Sequence, residues 1–213
     1  MRPLISTAVF CNDAWHPADV IRPGLQAAAT GIATLQWLEE PTAWVGTPLA
    51  PFELIVLAKG NTTGPNDLGP WLTDTVEREL VGRVEAGAGL LVLHAGTAGY
   101  RDHAGLRGLT GGFFREHPPP CAVTVAPVSP HPITADVPSF IANDEHYAMA
   151  LDDPATVVLL ESHSAHGTQP AGWVRTAGRG RVCVLTPGHT AEVWQHASFQ
   201  RLLRQAMLWA GPR

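Results

Sequence analysis

The sequence predicts an α/β protein whose mostly parallel sheet carries helices on both faces, and three observations lead there. Strand-like and helix-like runs follow one another in β-α-β-α-β order through the first half of the chain. The strand-like runs are continuously apolar rather than alternating, the pattern of strands buried on both faces. Of the 213 residues, 15% are charged and 45% hydrophobic. A typical soluble domain carries about 25% charged residues, so this chain has the material for a large core and not the composition of a disordered one.

Taken in order, Leu4 to Cys11 is β-branched and apolar and ends in the turn signal Asn12-Asp13. From Ala18 to Leu38, Val20, Ile21, Leu25, Ala28, Ala29, Ile32, Leu35 and Leu38 recur at helical spacing, with Pro23 expected in the first turn. Glu53 to Lys59 reads as a second buried strand. Thr73 to Ala86 reads as a helix with Thr73 as N-cap and Gly87 just past its end. Gly89 to His94 is a third buried strand, entering a glycine-rich turn. The second half predicts short strands at Cys121 to Val128, Thr156 to Leu160, Gly172 to Thr176 and Arg181 to Leu185. A hairpin loop at Ala177 to Gly180 joins the last two. Ser198 to Ala210 closes the chain as an amphipathic helix capped by Ser198 and stopped by Gly211-Pro212. No repeat or long linker divides the sequence, so residues 1–213 are expected to form a single domain.

Charge and composition exclude several classes. The formal charge is −5, and the fourteen basic residues are Lys59 and thirteen scattered arginines, so nucleic acid is not the expected partner. No apolar run reaches the length of a membrane span, and the N-terminus lacks the apolar region of a signal peptide. Cytoplasm is the expected compartment. Cys11, Cys121 and Cys183 form no Cys-x-x-Cys pair and read as small buried hydrophobes. Gly-x-Ser-x-Gly, Gly-x-Gly-x-x-Gly and P-loop patterns are all absent.

Ten histidines in such a chain ask for placement. In an open parallel sheet, ligands bind outside the carboxyl ends of the strands. His16 lies just beyond the first strand, His94 closes the third, and His189 follows the last through Thr186-Pro187-Gly188. These three are expected to share one rim, with His131 as a fourth candidate and Asp144 and Glu145 as nearby carboxylates. Such a set can move protons or hold a metal. The plainer reading of a lone histidine in a loop is a surface residue, and that is the expectation for His103, His163, His166 and His196.

Residues Gly87 to Thr97 resemble the glycine-rich strand and Leu-His turn of the ThuA-like (trehalose utilisation) family. Leu109 to Pro118, His131-Pro132, Asn143 to Tyr147, Arg179 to Val182, Gly188-His189 with Trp194, and Phe199 to Ala210 are similar to further family stretches in the same order. The resemblance implies a flavodoxin-like fold of the class I glutamine amidotransferase type, without the catalytic cysteine in the turn after the third strand. It also implies a role in sugar metabolism, with 3-keto-glycosides among the substrates.

The leading expectation is therefore an enzyme acting on a sugar or 3-keto-glycoside by acid-base chemistry, through isomerisation, elimination or hydrolysis. His94, Glu145, Asp144 and Tyr147 are the catalytic candidates; Trp15, Trp194, His117 and Thr97 are the substrate-binding ones. A divalent metal is the candidate cofactor, with His16, His94, His131 and His189 as candidate ligands. Partners reduce to a small sugar and, as an open option, further copies of the chain. Two alternatives stand beside this reading: a non-catalytic sugar-binding or regulatory module, and a hydrolase or amidotransferase using Thr97 or a cysteine as nucleophile.

Overall fold

The computed structural model describes residues 3–44 and 47–212. Its elements are β1 (Ile5–Phe10), α1 (Ala18–Ala29), β2 (Ala33–Leu38), α2 (Pro41–Trp44), β3 (Leu54–Leu57), α3 (Asp74–Glu85) and β4 (Gly89–Leu93). A 3-10 turn (His94–Thr97), α4 (Ala104–Thr110), β5 (Gly112–Glu116), β6 (Cys121–Pro127), β7 (Phe140–Asp144) and β8 (Ala148–Leu151) follow. The chain ends with β9 (Val157–Ser164), β10 (Gly167–Ala177), β11 (Gly180–Leu185), α5 (Ala191–Gln195) and α6 (Ala197–Ala210).

Nine strands form one sheet in the order β2-β1-β3-β4-β11-β10-β9-β6-β7. The half from β2 to β11 is parallel, and the remaining pairings are antiparallel. Strands β5 and β8 form a separate antiparallel pair. The continuous apolar runs have a direct cause. Val9, Val56, Leu91 and Leu93 face a core shared with Leu25 of α1 and Leu202 of α6. Their neighbours Phe10, Ile55, Leu57, Leu90 and Val92 face a second core with Leu80 of α3 and Leu106 of α4. Both faces are dry, so the central strands are almost wholly apolar, and the one buried hydroxyl of β1, on Thr7, donates back to the Ile5 carbonyl at 3.1 Å. Among the described residues no helix is long and apolar enough to cross a membrane.

Three local expectations need correction. The helix expected from Ala18 to Leu38 stops at Ala29, and Ala33 to Leu38 is an edge strand paired with β1 in parallel. Gly31, with φ of 72°, makes the reversal. Ile32, Leu35 and Leu38 fit helical spacing, but Ala33, Leu35 and Trp37 also alternate with the exposed Thr34 and Gln36, as a half-buried strand requires. Pro23 sits inside α1, past its first turn, because the helix already begins behind Pro17. Helix α6 is capped by His196, whose Nδ1 accepts from the Ser198 amide at 3.2 Å, and Ser198 lies within the helix. The Thr73 cap of α3 and the hairpin joining β10 to β11 are as the sequence predicts.

Candidate metal centre

The carboxyl ends of β1, β3, β4 and β11 open onto one rim, and the loop after each supplies part of a single site. His94 heads the turn directly after β4 with φ of 41°, an uncommon backbone for a non-glycine residue. A sharp strand-to-helix turn of this kind lifts a side chain out over the sheet edge, as the nucleophile elbow of α/β-hydrolases does. Here the raised side chain is an imidazole. Two glycines permit the turn. A Cβ on Gly96 would lie 2.1 Å from the Leu57 carbonyl oxygen, and Gly188, at φ 141°, brings the β11 loop against the His94 Cβ.

His16, His94, His189 and Glu145 converge, with one ligand atom of each within 4.8 Å of the others. The His94 ring centroid lies 4.9 Å from that of His16 and 5.7 Å from that of His189. Each member is held from behind. His16 Nδ1 faces both oxygens of the buried Asp13 at 2.9 and 3.0 Å, and Asp13 also accepts the Gly60 amide at 2.5 Å and the Trp15 amide at 2.8 Å. Burial works to raise the Asp13 pKa, but these donors outweigh it and hold the carboxyl below its usual range. His94 Nδ1 lies 2.7 Å from the Thr186 carbonyl, which can only accept, so this nitrogen carries the proton. His189 is aimed by its own backbone: Asp144 accepts the Gly188 amide at 2.9 Å and the His189 amide at 2.8 Å.

The atoms on the inner side have no such partners. His16 Nε2, His94 Nε2, His189 Nδ1 and Glu145 Oε2 are buried and make no hydrogen bond. His94 Nε2 and His189 Nδ1 stand 3.3 and 3.4 Å from Glu145 Oε2 without hydrogen-bond alignment, as lone pairs facing a common point would. Ligands about 2.0–2.2 Å from a tetrahedral ion are spaced by roughly 3.3–3.5 Å, so these separations fit a cation among them. Burial pulls the His189 pKa down against the pull of Glu145, favouring the neutral ring a metal needs. Burial would raise Glu145, but the surrounding His94, His189 and His117 outweigh it and keep the carboxyl low. Three imidazoles and one carboxylate suit zinc, manganese or iron.

In front of this cluster lies a cavity of about 830 Å³ bordered by Trp15, Asn61, Thr62, Phe114, His117 and Tyr147 as well as by His16, Glu145 and His189 of the cluster. Tyr147 is buried and stacks on His94 at 4.2 Å between centroids. Its hydroxyl pKa is raised well above the usual value by burial and by the neighbouring Glu145 charge. His117 Nε2 stands 3.5 Å from Glu145 Oε1, and its Nδ1 lies 2.8 Å from the Pro118 carbonyl. Trp15, 62% exposed, stands at the mouth.

Four candidates from the sequence take other positions. His131 is apart from the cluster, its ring edge-on to Trp209 of α6 at 5.2 Å, because its loop returns to the helical layer. Trp194 is 1% exposed, packs on Gly24 and donates Nε1–H to the Gly188 carbonyl at 2.8 Å, so it is core and holds the His189 loop from beneath. The Thr97 hydroxyl is spent on the His94 carbonyl at 2.9 Å, fixing the turn. Asp144 faces the β11 loop, one residue from Glu145 but on the opposite side. Burial pushes the Cys11 thiol up to about 12 and raises Cys183 further, so neither offers a ready thiolate. His103 and His196, expected as plain surface residues, are structural: His103 bridges Glu77 and Asn61, and His196 caps α6. Asp13 is the residue that sequence reasoning passed over. An aspartate three residues before a histidine, in a turn after a strand, was its only signal.

Fold and site together define a flavodoxin-like α/β protein with a three-histidine, one-glutamate cluster at the strand ends whose inner donor atoms are buried. Residues 7–210 match the family described as ThuA, trehalose utilisation, and the chain belongs to that family. No curated protein matches the sequence. Among solved structures, a ThuA-like protein from Parabacteroides merdae superposes with TM-score 0.82 at 16% identity, over 98% of this chain and 90% of that one. A ThuA-like protein from Bacteroides uniformis gives 0.74 at 19% identity, over 98% and 91%. A β-galactosidase from Rahnella sp. R3 gives 0.66 at 16% identity, the whole of this chain matching 32% of that one.

Proposed function

We propose that the protein is a sugar-metabolism enzyme that acts on a sugar or 3-keto-glycoside with a divalent cation held by His16, His94, His189 and Glu145. The observation that carries this reading is the convergence of four buried donor atoms with no hydrogen-bond partner. Leaving four such atoms unsatisfied costs several kcal/mol unless something else fills the space. The cavity supports a hydroxylated ring as ligand, with the Trp15 indole available to stack on its apolar face and Asn61 and Thr62 to bond its hydroxyls.

A bound cation supplies positive charge that polarises a sugar carbonyl and acidifies the adjoining C–H bond. The remaining work falls to side chains. His117, with Nδ1 engaged by the Pro118 carbonyl, turns the Nε2 lone pair toward Glu145 and the cavity and accepts the proton from carbon. Tyr147, kept protonated by burial, donates to the carbonyl oxygen as negative charge gathers there. His94 is then a ligand rather than a base, since its one free nitrogen points into the cluster.

The test is turnover of a 3-keto-disaccharide by protein purified without chelator, after exhaustive chelation, and after metal is returned. Activity lost on chelation and restored by one equivalent of metal is expected. Saturable sugar binding with no product under any metal would favour a binding module instead.

A further inference from the structure

Lys59 is the only lysine in the chain, and none of its surface reaches solvent. Burying an ammonium is among the costliest placements a fold can make. No carboxylate forms an ion pair with it among the described residues. Its Nζ donates to the Thr63 carbonyl at 3.1 Å and sits over the rings of Trp44 and Trp71, 4.0 and 5.3 Å from their centroids. The faces of the two indoles partly replace the lost water. The lysine backbone is tied in as well, since its carbonyl accepts from Tyr100 Oη at 2.8 Å and Trp71 Nε1 donates to the same hydroxyl at 2.7 Å.

What this cation holds is the back of the metal centre. The residues that follow it, Gly60 to Thr62, form one wall of the cavity, and Thr63 comes directly after them. Gly60 donates to Asp13, and the Thr62 hydroxyl accepts the Ala14 amide at 3.1 Å, so the loop grips the turn that carries His16. Asp13 and Glu40 are the carboxylates whose field reaches the ammonium, and Asp13 acts most strongly. Burial draws Lys59 down to about 8, which leaves it mostly charged at neutral pH.

We infer that Lys59 is a positioning residue for the cation site: its buried charge balances Asp13 and its bond to Thr63 fixes the loop, so that His16 presents Nε2 to the cluster. This rests on the metal reading above. A lysine serving only to fill the space between the two indoles would be replaceable by an apolar side chain at no loss to the centre. Groups that hydrogen-bond and orient metal ligands commonly contribute 10- to 100-fold in affinity.

The experiment uses the full chain with Lys59→Met, which fills the indole box without charge, and Lys59→Gln as a second neutral variant should the first not fold. Three quantities are read: the thermal midpoint, the Co²⁺ dissociation constant, and the His16 tautomer in metal-free protein from long-range proton–nitrogen imidazole spectra. Lys59→Met is expected to keep or raise the midpoint, to weaken Co²⁺ binding by about 10- to 100-fold, and to leave the His16 ring in mixed tautomers. Asp13→Asn should give a comparable loss, and the double variant no further loss. Wild-type Co²⁺ affinity together with a retained Nδ1–H tautomer in Lys59→Met overturns the inference. If the wild-type protein takes up no Co²⁺, the metal reading falls. The tautomer then decides alone: its loss in Lys59→Met supports the positioning role, and its retention refutes it.

Discussion

Replacing Asp144 by asparagine separates a backbone anchor from a chemical participant. The carboxylate accepts two amides, the buried one of Gly188 at 2.9 Å and the half-buried one of His189 at 2.8 Å. An asparagine keeps one acceptor and turns an NH2 group toward the other amide. Hydrogen bonds to a charged partner contribute about 1.5–3 kcal/mol each, and a buried donor left unmet costs a further 1–3 kcal/mol. The expected loss is therefore about 2–4 kcal/mol, read as a shift of the urea midpoint at unchanged slope in chelator-treated protein. His189 rides on this loop, so Co²⁺ affinity should fall with stability, by about tenfold or more. A variant within about 1 kcal/mol of wild type that binds Co²⁺ normally but has lost turnover would refute the reasoning. Asp144 would then touch the reacting sugar.

Other expectations follow from the same geometry. Trp15→Ala should leave the thermal midpoint unchanged, because the ring is exposed, and weaken sugar binding by up to about tenfold in calorimetry. His131→Ala should leave Co²⁺ affinity at the wild-type value, whereas His16→Ala, His94→Ala and His189→Ala should each abolish tight binding. Lys59 carries a folded-state pKa lowered by burial from 10.5 to about 8. Below pH 8 the native state bears the full cost of the charge. Between pH 8 and 10.5 it has released a proton that the unfolded chain keeps, so wild-type stability should gain on Lys59→Met by about 3 kcal/mol. Parallel denaturation curves at pH 7 and pH 10 measure this, and a constant difference between the two proteins would contradict it.

The parts of this molecule that could be read from sequence are those governed by local physics. Strands β3 and β4 are dry on both sides, so their uninterrupted apolar runs announce them, and β1 is announced by its β-branched and apolar residues. Thr73 announces α3 because a cap is a local hydrogen bond. His94 was placed at a strand end by four apolar residues before it and glycine after it. The misreadings share one cause, which is that sequence does not say what lies opposite a side chain. Ile32, Leu35 and Leu38 fit either a helix or an edge strand until β1 is known to lie beside them. Trp194 looks like a sugar platform until Gly24, far off in the chain, is found against it. His131 and His189 occur in similar proline-bearing loops, and only the sheet order sends one to α6 and the other to the rim. Asp144 and Glu145 are neighbours with opposite directions and different work, a distinction invisible before β7 ends where it does.

The central claim is that His16, His94, His189 and Glu145 form a cation site, and Co²⁺ titration of chelator-treated protein followed by visible absorption tests it most directly. The account predicts saturation at one ion per chain, with absorption bands of a low-coordinate nitrogen–oxygen site that vanish in His94→Ala and persist in His131→Ala. Binding absent in the wild-type protein, or unaffected by His94→Ala, would contradict it.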